Sequence, residues 1–131
     1  MTLHTNLISL VPVIASHDTQ LLKGVLGLVL LRLLSEGESY GYELVTRVHG
    51  LGFDDVPDGS IYPALNRLER DGQLKSRLVP SPSGPARKYY RLSAGGLEAL
   101  DRGERAWRFL VARVDPLFRH AGKRTAAGAH A

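Results

Sequence analysis

The residues best suited to chemistry lie in one short run, DGSIYPALNRLERDG, residues 58–72. Ile61, Leu65 and Leu68 recur at helical spacing and form one apolar stripe. The opposite side of that helix then carries Asn66, Arg67 and Arg70 beside Pro63, with Ser60 and Tyr62 flanking its start. Asn and Arg are the side chains that hydrogen-bond two edge atoms of adenine and guanine at once, and Ser and Tyr hydroxyls suit phosphate oxygens. A second basic pair, Arg87 and Lys88, follows in the run RKYYRL. From Ser60 to Leu92 there are seven basic residues against two acidic ones, a net +5, more than the +4 of the whole chain. Cations gathered on one helix and one hairpin point to a polyanion partner, where a bare pI near 9.7 would not.

Other chemistries find little support. The sequence contains no cysteine, which excludes disulfides, thiolate metal sites and thiol redox sensing. His4, His17, His49, His120 and His130 are scattered, so neither a metal nor another cofactor is expected. No nucleophile stands at a recognised spacing from a base, and Gly24, Gly27, Gly95 and Gly96 do not make a phosphate loop, so an enzyme is not expected. The first residues lack a positive leader and Pro12 interrupts them, while the apolar run Leu21 to Leu34 is short and carries Lys23 and Arg32. These features predict a cytoplasmic protein with no membrane partner.

The elements that position the basic residues can be read in order. A helix spans about 18–36, apolar around its whole circumference and so expected to be buried on all sides, with Asp18 or Thr19 as its cap and Gly37 at its end. A second helix covers about Tyr40 to His49, and breakers fill 50–57. The third helix runs from about Asp58 to Asp71, capped by Asp58 or Ser60 and ended by Gly72. Two strands with period-two alternation, LKSRLV and RKYYRL, flank PSPSGPA, whose three prolines and one glycine predict a stiff protruding loop over 80–86. A last helix starts after Ser93 and is expected to stop at about Asp115, before Pro116. On it Leu97, Leu100, Trp107, Val111, Val114 and Phe118 approximate a heptad seam.

The fold class is therefore mainly α with a small β-hairpin: a winged helix-turn-helix plus a C-terminal dimerisation helix, its third helix placed to read DNA. The division expected is an N-terminal extension (1–17), a winged-helix DNA-binding domain (18–93), the dimerisation helix (94–118) and a flexible tail (119–131). The rival is a winged helix that serves only as a protein-interaction module.

Several motifs in sequence order are more specific. Gly41-Tyr42-Glu43-Leu44, then Gly59-Ser60-Ile61-Tyr62-Pro63-Ala64-Leu65, Arg67-Leu68-Glu69, Gly72 and Arg87-Lys88-Tyr89-Tyr90-Arg91-Leu92-Ser93 together resemble the PadR family of transcriptional regulators. Lys23-Gly24 fits as well, and the resemblance covers about residues 20–118. It implies a homodimeric repressor of the short, single-helix subfamily, acting on a nearby promoter with a palindromic operator in double-stranded DNA and released by a small effector. Tyr62 matches the family's phosphate-contacting tyrosine. Trp107, with Leu100, Val111 and Val114, then lines a pocket for a small aromatic or apolar effector, or anchors the dimer interface. Ser93 stands where threonine is commoner, and residues 1–17 lie outside the family pattern. Tyr90 is expected in the core with Tyr89 toward the wing's DNA side, and Glu43 to hold a lysine or arginine in place.

Overall fold

The computed structural model describes residues 19–128. Helix α1 (Thr19–Leu34) leads through a turn to strand β1 (Ser39–Tyr40) and helix α2 (Gly41–Gly50). Helix α3 (Asp58–Arg70), strands β2 (Leu74–Ser81) and β3 (Gly84–Leu92) and helix α4 (Ala94–Gly128) complete the order. The winged-helix expectation holds, with one addition: the sheet has three antiparallel strands in the order β1-β3-β2. β1 is two residues long and pairs Ser39 with Tyr90 and Tyr40 with Tyr89, too short to leave a periodic signature.

The core gathers Leu26, Leu30, Leu31, Leu33 and Leu34 of α1 with Leu44, Val45 and Val48 of α2 and Ile61, Ala64, Leu65 and Leu68 of α3. Leu74 and Tyr90 close it from the sheet, so Tyr90 is the core tyrosine, as its alternation implies. Burial of α1 on all sides is corrected: Leu26, Leu30, Leu31, Leu33 and Leu34 are buried, while Leu21 remains 76% exposed and Val25, Leu28 and Val29 are half-buried. α2, α3 and the sheet pack against α1, and α4 crosses it at Gly103, where a Cβ would come within 2.6 Å of Leu28 Cδ1.

The helix ends follow local chemistry, with two corrections. Asp18 lies outside the described residues, and α3 has no side-chain cap: Pro57 occupies the N-cap position and Ser60 N–H donates to its carbonyl at 2.9 Å. Among the described residues Glu43 holds no cation; its Oε1 accepts from Tyr40 N (3.1 Å) and Ser39 Oγ (3.0 Å), the return half of a capping box. α3 ends in a Schellman motif: Gly72 has φ +79°, Gln73 N–H donates to Leu68 O and Gly72 N–H to Glu69 O. Ser93 caps α4 as expected. Its Oγ accepts from Gly96 N at 3.0 Å and donates to Gly72 O at 2.5 Å, tying the end of α3 to the start of α4.

The wing and the last helix differ from expectation. The strands zip through most of 80–86, pairing Val79 with Arg87 and Ser81 with Gly84, so only Pro82 and Ser83 connect them. The register shifts between Val79 and Ser81, at Pro80, where a residue without an N–H is tolerated. α4 does not stop before Pro116 but continues to Gly128, so residues 119–128 of the expected tail are helical backbone. At 1.5 Å per residue its 35 residues span about 52 Å. Pairs one turn apart, Asp101–Arg105, Glu104–Arg108 and Asp115–Arg119, run along it. Among the described residues, no helix is long and apolar enough to cross a membrane.

Candidate nucleic-acid interface

At 3.6 residues per turn, the outermost line of α3 carries Asn66 and Arg70, both exposed. Ser60 and Arg67 lie along one edge of that face; Tyr62 and Glu69 share the other, turned toward the wing. Among the described residues neither Arg67 nor Arg70 pairs with a carboxylate, so both guanidiniums are free for an outside anion.

Between the start of α3 and the wing lies an open cleft of about 600 Å³ lined by Tyr40, Tyr42, Tyr62, Ser83, Arg87 and Lys88, among others. Tyr62 is 38% exposed and its ring rests on the first turn of α2. Gly41 makes this possible, since a Cβ there would lie 2.6 Å from Tyr62 Cε1. Burial first, and then the Asp58 carboxylate, push the phenol pKa up, so the hydroxyl stays a neutral donor. Arg87 stacks over the Tyr40 ring at 4.7 Å, and Tyr40 meets Tyr89 at 5.3 Å between centroids. Lys88 is engaged differently: its Nζ lies 2.9 Å from Glu69 Oε1 and 5.3 Å above the Tyr90 ring. On the face of the sheet that carries Tyr89, Arg77 forks onto Glu38 through two bonds of 2.8 and 2.7 Å.

Tyr62, Arg87 and Lys88 thus share one cleft, Asn66 and Arg70 stand beside it, and Ser60 and Arg67 lie on the remote edge of α3. Sequence reading missed Tyr40 and Tyr42, which line the same cleft, and the two ion pairs that engage Arg77 and Lys88. The only trace of Tyr40 was its place just before the Gly41-Tyr42-Glu43 motif; the pairs join residues 39 and 19 positions apart and leave no local sign.

The four residues assigned to an effector pocket or dimer interface divide. Leu100 and Trp107 line an apolar cleft of about 550 Å³ between α1 and α4, with Val25, Leu28, Val29 and Phe53, and Arg32, Glu36 and Glu104 at the rim. Val111 and Val114 lie farther along α4, outside that cleft, at 39% and 42% exposure. Phe109, Leu110, Leu117 and Phe118 are more exposed still, an apolar surface wider than the heptad seam. Among the described residues no cluster of His, Asp and Glu could hold a metal.

A model of the PadR-like family of transcriptional regulators matches residues 30–102. A transcriptional regulator of Mycobacterium tuberculosis is 37% identical over 82 residues, 61% of this chain and 73% of the relative. The crystal structure of a PadR-like transcriptional regulator from Bacillus cereus shares 40% identity with a TM-score of 0.68, covering 76% of this chain and 96% of that one. Bacillus subtilis PadR in complex with operator DNA is similar at 29% identity and a TM-score of 0.55, over 60% of this chain and 45% of that one. With the family match spanning more than half its length, this chain belongs to the PadR-like family of transcriptional regulators.

Proposed function

We propose that the chain is a cytoplasmic, dimeric repressor that binds a palindromic operator in double-stranded DNA through α3 and the wing and is released by a small effector. The observation that carries this reading is the distribution of free charge. Of the seven cations from Ser60 to Leu92, only Arg77 and Lys88 have a carboxylate partner among the described residues, and the other five have none. Asn66 and Arg70 reach base edges in the major groove, with Arg67 and Ser60 on the flanking backbone. Tyr62 and Arg87 hold the phosphates that pass between α3 and the wing, with Lys88 beside them. The solved complex of Bacillus subtilis PadR with operator DNA supports this assignment by similarity.

Dimerisation is assigned to α4, because its exposed apolar residues from Trp107 to Phe118 need cover. The cleft at Trp107 is of a size for a small aromatic or apolar effector. The test is a titration of the full chain onto its own promoter duplex and a scrambled duplex at several salt concentrations. Preference for the promoter by about a thousandfold with a steep salt slope is expected. Equal, weak binding to both would instead favour a protein-interaction module.

A further inference from the structure

We infer that Glu69 stands in for a DNA phosphate: it holds Lys88 in the free protein and competes with the duplex for that ammonium group. The inference rests on the reading that α3 and the wing face DNA. Glu69 lies one turn beyond Asn66 and Leu65, on the edge of α3 that carries Tyr62. Its two oxygens are divided between the strands of the wing: Oε1 meets Lys88 Nζ on β3 at 2.9 Å, and Oε2 accepts from Ser76 Oγ on β2. The pair is open to solvent, with side chains 42% and 31% exposed, so a phosphate can approach the ammonium.

The chemistry of the two acceptors is alike. A carboxylate and a phosphodiester both offer anionic oxygens to N–H donors, and an ammonium group with three donors can pass from one to the other. Arg87 differs in kind, because it rests on a neutral ring that cannot compete for its charge. Once Lys88 turns to a phosphate, Glu69 keeps the Ser76 hydroxyl but faces the backbone with its charge uncompensated. Any duplex meets this opposition, whatever its sequence, while base contacts from Asn66 and Arg70 are untouched. Glu69 therefore weakens operator and sequence-indifferent binding by the same factor, lowering affinity for DNA as a whole while leaving the ratio between them unchanged.

The test uses the full chain with promoter and scrambled duplexes, comparing the wild type with Glu69→Gln, Lys88→Gln and the double variant. Gln keeps an oxygen for Ser76 and removes the charge. Glu69→Gln should tighten binding to both duplexes by the same factor, about three- to tenfold at low salt, and steepen the salt slope by about one. In the Lys88→Gln background the gain should shrink, because only the repulsion between the carboxylate and the backbone is left to remove. Glu69→Asp, which draws the carboxylate back by one methylene, should shift binding the same way by a smaller factor and serves if Glu69→Gln does not fold. Unchanged or weaker binding by both Glu69 variants, with Lys88→Gln still impaired, would overturn the inference and leave the repressor reading standing. A wild type with no salt-dependent binding to either duplex would overturn both.

Discussion

Gly96 sits where α4 leaves the winged helix, and Gly96→Ala tests how rigidly that junction is built. A Cβ there would overlap the carbonyl oxygen of Gln73, and would lie 3.1 Å from its carbonyl carbon and 3.2 Å from Leu92 Cδ2. The obstacle is backbone and cannot rotate away. The same Gln73 oxygen accepts from Ser93 N at 3.1 Å, and Gly96 N donates to Ser93 Oγ at 3.0 Å, so making room disturbs two hydrogen bonds. At about 1 kcal/mol each they contribute about 2 kcal/mol. Overpacking costs about 1–3 kcal/mol more, and the helix preference of alanine over glycine returns about 1 kcal/mol. The net expectation is a loss of about 2–4 kcal/mol. Gly24→Ala is the control: among the described residues nothing lies within 4 Å of a Cβ there, so the helix gain of about 0.5–1 kcal/mol should appear undiminished. Urea unfolding followed by far-UV circular dichroism, at one fixed protein concentration, measures both. A Gly96→Ala midpoint equal to wild type with an unchanged m value would refute the claim that this junction is fixed.

Three further outcomes follow from the site and the exposed helix. Val111→Glu should weaken self-association by on the order of thirtyfold in sedimentation equilibrium, because about 1 kcal/mol of apolar burial is lost in each copy before the charge is counted; an unchanged dimer would remove α4 from the interface. Tyr62→Phe leaves the ring on Gly41 and removes only the hydroxyl, so thermal stability should hold while operator affinity drops about fivefold, and equal affinity would argue against a phosphate contact. On the acid side, bonds from the Ser76 hydroxyl and then Lys88 hold the Glu69 carboxyl below the usual carboxylate range. A depressed folded value means that this stabilisation is complete above the unfolded pKa and is lost as pH falls through the folded one. The urea midpoint of wild type should therefore fall more steeply than that of Glu69→Gln between about pH 6 and pH 3, and parallel profiles would contradict the pairing.

What could be read from the sequence was local or periodic. The stripe Ile61, Leu65 and Leu68, the cap at Ser93 and the terminator Gly72 all act within a few residues, and each lies where its spacing says. The face of α3 followed from the same periodicity, because exposing Asn66 and Arg70 is the geometric complement of burying Leu65 and Leu68. Long-range pairing was not legible. Nothing near Glu69 announces Lys88, and nothing near Glu38 announces Arg77. Proline misled twice, for related reasons. Pro80 falls at a register shift and so does not end β2, and Pro116 lies inside a helix that continues past it. For α1 the all-apolar circumference described the residues correctly, but the number of neighbours is a property of the assembled chain. Leu21, Val25, Leu28 and Val29 have too few of them among the described residues.

The register shift at Pro80 bears on how the hairpin avoids sticking to other strands. β3 is central and has a partner on each side, so the longest open edge of the sheet belongs to β2. An open edge recruits strands when it is long, flat and apolar. This one carries Lys75 and Arg77 along its first half, then breaks its ladder at a residue with no N–H to offer. Leu78, 70% exposed, is left between the charges and the break, where no uninterrupted run of backbone donors exists for a passing chain to zip onto. Substitutions that straighten this edge, such as Pro80→Val with Arg77→Val, would turn the wing into a template for fibrils while leaving α3 untouched.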